Sequence, residues 1–200
     1  KFEFDSQPGY QKMNKENKLV PGLPPGFEDR WDKKILLKKK LLEAIENNFI
    51  KFGAEALETP SFEIAENIGS FLAEDEANPM SDVFSFKDGD KNITLRYDLS
   101  SPLARFYAQN NQELPSIFKR YQIQNVFRNE KAGNGRYREF MQADFDIVGN
   151  VNPAQANAEL CNLISSALSD CGLNKDQFTI NVSNRLSLIH ISEPTRHVDI

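Results

Sequence analysis

Two long stretches of alternating side chains dominate this chain, at 117–128 and 137–148, joined by a charged loop at 129–135. Successive residues of a strand face opposite sides. Tyr121, Ile123 and Phe127 therefore share one side of the first strand, and Met141, Ala143, Phe145 and Ile147 share one side of the second. That side is the predicted core face. The other carries Arg120, Gln122, Gln124 and Arg128, then Arg138, Phe140, Gln142, Asp144 and Asp146. A face so rich in charge and amides is either the solvated side of an antiparallel sheet or the floor of a site that meets anions with arginine and cations with aspartate. The loop is too long and too charged for a minimal hairpin turn. Its two glycines let it fold over a ligand, and Arg128 and Arg136 bracket it with paired guanidinium groups that suit a polyphosphate. On residue chemistry alone both readings stay open.

Elsewhere the pattern predicts helices packed on that sheet. Leu37, Leu41, Ile45, Phe49 and Phe52 recur at three- and four-residue spacing, predicting a helix over 32–52 with Asp32 as N-cap and Gly53 as its stop. A strand at 54–59, closed by Pro60, follows. Residues 61–71 have weak helical character, 74–82 form an acidic loop, and 83–86 and 92–97 flank Asp88 and Gly89 as a hairpin. Ser101, with Pro102 at the first helical position, caps a helix to about 109. Asn152 and Pro153 open another, ending at Gly172, with Ala156, Leu160, Ile164, Ala167 and Leu168 as its buried stripe. A further strand is expected at 177–182.

Composition narrows the class. An apolar share of 40% and a charged share of 26% are those of an ordinary globular protein. No apolar run is long enough to cross a bilayer, and the first residues lack an apolar signal core. Cys161 and Cys171 lack metal-ligand spacing and read as free thiols of a reducing cytoplasm. The net charge of −5 argues against this segment being a main nucleic-acid grip.

Two stretches carry a family resemblance. FRNE at 127–130, followed by GRYREFMQADFDIVG at 135–149, resembles motif 2 of class II aminoacyl-tRNA synthetases in the form used by histidyl-tRNA synthetases. LRYDLSSPLARFYAQN at 95–110 resembles the histidine-recognising segment of the same family. The likeness covers about 23–186. It implies an α+β fold, an antiparallel class II synthetase-type sheet flanked by helices. It also implies a partial catalytic domain at 23–186, because the family's motif 3, second histidine-recognition segment and anticodon-binding domain lie further downstream. Such a half-built site is expected to be inactive alone. Residues 1–22 are expected to form a disordered arm, with 1–12 non-native if translation starts at Met13. The tail 187–200 departs from the family and reads like translated sequencing adapter; it holds both histidines, His190 and His197, so no catalytic histidine is expected.

The resemblance also implies roles. Arg128 matches the catalytic arginine that bridges the α-phosphate and the substrate carboxylate. Glu130 matches the acidic residue that helps place ATP, Arg136 the arginine reaching the terminal phosphate, and Phe140 the aromatic under the adenine. Asp98, Ser100 and Gln142 match the positions that hold the α-ammonium of histidine, and Asp146 an acidic position near the imidazole. The substrates and partners implied are histidine, ATP with Mg2+ (no protein ligands assigned) and tRNA(His). A homodimer through the helix–strand unit at 32–60, a cytoplasmic location and no membrane contact complete the expectation. A paralogue on the same fold, the histidine-sensing regulatory subunit of ATP phosphoribosyltransferase, is the alternative, and a domain serving only as scaffold is a third reading. Arg128, Glu130, Arg136 and Phe140 favour the synthetase, since a pure sensor need not keep an ATP site.

Overall fold

The computed structural model describes residues 21–68 and 82–182. The expected arm (all but its last two residues), the expected tail and most of the expected acidic loop lie outside the described residues. In chain order the elements are α1 (Lys33–Lys51), β1 (Glu55–Ala56), β2 (Phe62–Ile64), α2 (Ala65–Ile68), β3 (Ser85–Asp88), β4 (Lys91–Leu95), α3 (Ser100–Asn110), β5 (Ile117–Phe127), β6 (Glu139–Gly149) and α4 (Pro153–Asp170).

The long hairpin forms as its alternation predicts. β5 and β6 pair antiparallel along their whole length, Ile117 opposite Gly149 and Phe127 opposite Glu139. β1 joins β5 as a short parallel strand, so this sheet is mixed, in the order β1-β5-β6. A second sheet, β2-β4-β3, is antiparallel throughout.

Helices α1 and α4 cover the predicted core face. Phe49, Ala54, Tyr121 and Leu163 are buried together, with Ile45, Phe52, Ile123, Phe145 and Leu160 packed around them. The Phe49 ring lies 5.6 Å from both the Tyr121 and the Phe145 rings, in tilted geometry that aromatic pairs favour. Asn48 Nδ2 donates to Asp170 Oδ2 at 2.7 Å, tying the C-terminal ends of the two helices. Both helices close on a glycine in the same motif: Gly53 N–H donates to Ile50 O and Ala54 N–H to Phe49 O, and Gly172 and Leu173 repeat this on Ser169 and Leu168.

Several local expectations are corrected. Asp32 occupies the N-cap of α1 at a left-handed φ of 45°, and its side chain makes no capping bond. Only the second half of the α1 stripe is core; Leu37 is 60% exposed, because the packed cluster engages the helix only from Ile45 onward. On α4 the deeply buried residue is Leu163, while Ile164 is 47% exposed. A strict four-residue repeat drifts around a helix of 3.6 residues per turn, so the real stripe passes through Leu160 and Leu163. Of residues 61–71, expected to be weakly helical, 65–68 form α2 and 69–71 lie outside the described residues, while 62–64 pair with β4 as a strand, long-range pairing overriding weak local preference. Ser100, not Pro102, opens α3, and the capping acceptor is Asp98, whose Oδ1 takes the Ser101 N–H at 3.0 Å. Residues 177–182 form no strand; they have no ladder partner among the described residues, and Val182 is 74% exposed.

Candidate functional site

The polar face of the hairpin lies on the side away from α1 and α4, and one buried arginine decides what covers it. Arg96 follows β4 and is 4% exposed. Its Nε donates to Asn125 O at 2.6 Å and its Nη1 to Thr59 O at 2.8 Å, while Phe127 N–H donates back to Arg96 O at 3.0 Å. These bonds lock the segment after β4 across β5. They carry Tyr97, Asp98 and Leu99 onto the polar face.

At one end Arg120 is fully buried. Its Nη2 donates to Leu99 O at 3.1 Å and lies 2.6 Å from Asp146 Oδ2, an ion pair without the alignment of a hydrogen bond. Its Nη1 donates to Gln122 Oε1 at 3.1 Å, and the Gln122 amide donates to Thr59 Oγ1 at 2.8 Å. Burial presses against the charge of Arg120, and Asp146, Asp144 and Asp98 support it. Burial likewise pushes the Asp144 carboxyl upward, against the pull of Arg120. Asp146 thus lies against the guanidinium, while Asp144 and Asp98 act on it through space. Beside them, Gln142 Oε1 is buried and has no hydrogen-bond partner among the described residues.

At the other end the strands separate and the loop 128–138 begins. Arg128 N–H donates to Arg138 O at 2.8 Å, continuing the ladder past β5. Arg128 Cζ stands 4.5 Å from the centre of the Tyr97 ring and 5.0 Å from that of Phe140. Such contacts are favourable for a guanidinium. Among the described residues its one hydrogen bond is the long 3.4 Å contact from Nε to Tyr97 O. Glu130 Oε1 accepts from the Tyr97 hydroxyl at 3.0 Å, and Oε2 is gripped by Arg136, whose Nε is 2.7 Å away. That grip, with help from Tyr97, holds the Glu130 carboxyl below the usual range. Arg128, Glu130, Gly135, Arg136, Tyr137 and Phe140 line one cleft of about 310 Å³.

The entry segment braces this loop. Pro24, Pro25 and Gly26 make a turn closed by Phe27 N–H on Pro24 O at 3.2 Å, and Gly26 O accepts the Arg138 N–H at 2.8 Å. Gly26 has a φ of +84°, and a Cβ there would stand 2.7 Å from Arg138 Cγ. Only glycine fits both the turn and that approach.

The structure therefore brings Arg128, Glu130, Arg136 and Phe140 together, and sets Gln142 and Asp146 on the same face of the same hairpin. Asp98 reaches that face from β4, while Ser100 is exposed at the start of α3. Sequence reasoning missed Tyr97, Arg96 and the burial of Arg120. Tyr97 lies inside the segment singled out as histidine-recognising, so its sequence position was the available signal. Among the described residues no group of three or more His, Cys, Asp or Glu is placed to hold a metal ion. Glu130, the acid nearest the cleft, is taken by Tyr97 and Arg136, so these residues do not fit a magnesium site.

A polar strand face that ends in a loop with two arginines and a glutamate, beside an aromatic ring, suits an anionic ligand. The histidyl-tRNA synthetase family model matches residues 26–189, and the chain belongs to that family. It is 78% identical over 173 residues to the histidine–tRNA ligase of Pelagibacter ubique (strain HTCC1062), covering 86% of this chain and 37% of that relative. It is 44% identical over 172 residues to the corresponding ligase of Methylocella silvestris, again covering 86% of this chain and 34% of that protein. The chain thus spans about a third of the length of these relatives. Its fold is similar to the crystal structure of histidyl-tRNA synthetase from Nostoc sp. PCC 7120, with a TM-score of 0.62 and 26% identity over 74% of this chain and 34% of that one. An ATP phosphoribosyltransferase regulatory subunit/histidyl-tRNA synthetase from Bacillus halodurans matches with a TM-score of 0.68 at 23% identity, over 80% of this chain and 40% of that one, and shares the fold. Among the described residues no helix is long and apolar enough to cross a membrane.

Proposed function

We propose that this chain supplies the motif 2 half of a site that activates histidine with ATP and passes it to tRNA(His), within a longer enzyme. One observation carries the reading: Arg128, Glu130, Arg136 and Phe140 line a single cleft, continuous along one strand face with Gln142 and Asp146. In this reading Phe140 lies under the adenine, Arg136 meets the terminal phosphate, and Glu130 orients the arginine side of the loop. The unpartnered Gln142 Oε1 accepts from the α-ammonium of histidine. Asp98 and Ser100 flank that group, and Asp146, oriented by Arg120, faces the imidazole.

The chemistry asks little of acids and bases. A carboxylate oxygen of histidine attacks the α-phosphorus as the bond to pyrophosphate breaks, and charge accumulates on the phosphoryl oxygens. Arg128 bridges that phosphate and the attacking carboxylate, aligning two anions and meeting the growing charge without reorganising. ATP brings any magnesium with it. The reading extends to a homodimer through the 32–60 unit, supported by exposed Leu36, Leu37 and Leu41 on α1, and to the cytoplasm, consistent with free Cys161 and Cys171.

Arg128→Lys, made in the complete reading frame that carries this segment, tests it. The substitution keeps the charge and loses the planar fork. Histidine-dependent pyrophosphate exchange should fall by roughly a hundredfold or more in kcat, the scale of losing one preorganised donor, with ATP binding affected much less. Near-normal exchange in that variant would remove the motif reading of the hairpin. Absence of any exchange in the parent enzyme would favour the histidine-sensing alternative.

A further inference from the structure

We propose that Tyr97 is a positioning residue of the nucleotide end of the site, its ring setting the Arg128 guanidinium and its hydroxyl setting the Glu130 carboxylate. The inference rests on the roles given above to Arg128 and Glu130, and it adds a residue that neither strand of the hairpin supplies. Three contacts converge on one residue, two of them on its side chain. The ring stands 4.5 Å from Arg128 Cζ, the hydroxyl donates to Glu130 Oε1 at 3.0 Å, and the main-chain oxygen faces Arg128 Nε at 3.4 Å.

Geometry gives these contacts a purpose. Arg128 has two aromatic faces against it, Tyr97 and Phe140. Faces constrain the plane of a guanidinium while leaving its edge N–H donors for a planar, bidentate partner such as a phosphate and a carboxylate together. A carboxylate in place of Tyr97 would instead consume those donors. The hydroxyl meanwhile holds one oxygen of Glu130 while Arg136 holds the other, so the carboxylate cannot swing onto Arg128. Burial and the Glu130 bond both push the Tyr97 phenol upward, which keeps it a neutral donor. Arg96 anchors Tyr97 from the preceding position through Asn125 O and Thr59 O, so the ring is placed by β5 and not by the loop it serves.

The alternative is that Tyr97 merely fills space, half-buried between β4 and the loop. Kinetics separate the two. Tyr97→Leu and Tyr97→Phe are made in the complete enzyme, melting curves are recorded, and pyrophosphate exchange gives kcat with separate KM values for ATP and histidine. Loss of the ring should lower kcat in Tyr97→Leu roughly tenfold. Its KM for histidine should stay within about twofold, since the Tyr97 ring and hydroxyl contact Arg128 and Glu130 at the nucleotide end of the face. Tyr97→Phe keeps the ring, so kcat should stay within about twofold while KM for ATP rises roughly threefold for the lost hydrogen bond. A space-filling residue would instead lower the melting temperature without that split between kcat and KM.

Normal kcat in a folded Tyr97→Leu overturns the proposal, as does an equal loss of kcat in both variants, or a rise in the histidine KM that matches the loss of kcat. If Tyr97→Leu fails to fold, Tyr97→Phe decides, and an unchanged KM for ATP there overturns it. Arg128→Lys run alongside keeps the failures apart. Normal exchange in Arg128→Lys removes the site reading itself, whereas its loss with unaffected Tyr97 variants removes only the role of Tyr97.

Discussion

Arg120 and Arg128 sit on the same face of the same hairpin, and the protein treats them in opposite ways. Arg120 is enclosed by a backbone carbonyl, an amide and the Asp146 carboxylate, with no exposed surface. The Arg128 guanidinium lies against two aromatic rings and spends only one weak side-chain hydrogen bond on the described residues. A buried charge met by polar groups is fixed by the fold and would be ruinous to remove singly. A charge set against π-faces keeps its plane but leaves its donors for something else. One end of the face is built to hold a carboxylate still, and the other to hold a cation ready.

The sharpest way to break this comparison is Arg120→Met. It leaves Asp146, whose side chain is 33% exposed, without its counter-charge, which should destabilise the fold by about 3 kcal/mol, the low end for removing one partner of a buried pair. Urea denaturation of this chain measures it. A loss under about 1 kcal/mol, as for a solvated pair, would show the two arginines to be equivalent.

Asp98→Asn probes the same end through its ligand. The structure gives Asp98 two duties, since its Oδ1 also accepts the Ser101 N–H at the start of α3. Asparagine keeps that acceptor and removes the charge, so capping is preserved while the counter-charge to an ammonium is lost. In the complete enzyme histidine affinity should fall by about 2 kcal/mol, the lower end for desolvated charge pairs, with ATP affinity scarcely changed. Calorimetric titration of each substrate distinguishes this from an equal loss for both, which would withdraw Asp98 from the histidine site.

What could be foreseen follows the range of the interactions involved. The two-residue period of 117–128 and 137–148 separated the polar side from the side that α1 and α4 pack on, but Phe118 and Val126 are buried on the polar side as well, at 3% and 0% exposure. The alternation itself was legible because a strand transmits it without reference to anything else. The cap at Asn152 was legible for the same reason, its Oδ1 accepting from Ala154 N–H two residues on. The fate of each polar-face residue was not. Whether Arg120 is sealed and Arg128 left open depends on the segment 96–99 crossing β5, and that depends on Arg96 finding Asn125 O and Thr59 O far along the chain. The strand at β2 was hidden likewise, since its pairing and the bidentate Glu63–Arg105 contact lie beyond local preference. ATP and histidine roles came from motif likeness, and geometry has since grouped the residues without weighing each role.

The smallest expected effect tests how many charges the Arg120 end needs. Asp144 pairs across the strands with Gln122, one step from the Arg120–Asp146 pair, and burial raises its carboxyl above the ordinary value while Arg120 pulls it down. An acid whose folded value is raised holds its proton more tightly in the folded state. Stability therefore falls as pH rises from the unfolded value through the folded one, and the penalty is complete above the latter. Asp144→Asn removes that penalty. The variant should be more stable than the parent near neutral pH by about 0.5 kcal/mol, the scale of a mild substitution. The difference should close in acid below about pH 4, where both states of the parent are protonated. Urea midpoints at the two pH values supply the check. If Asp144→Asn is instead destabilised at neutral pH, Arg120 draws on Asp144 as well as Asp146. The buried end would then be a network of charges, in sharper contrast to the aromatic cradle of Arg128.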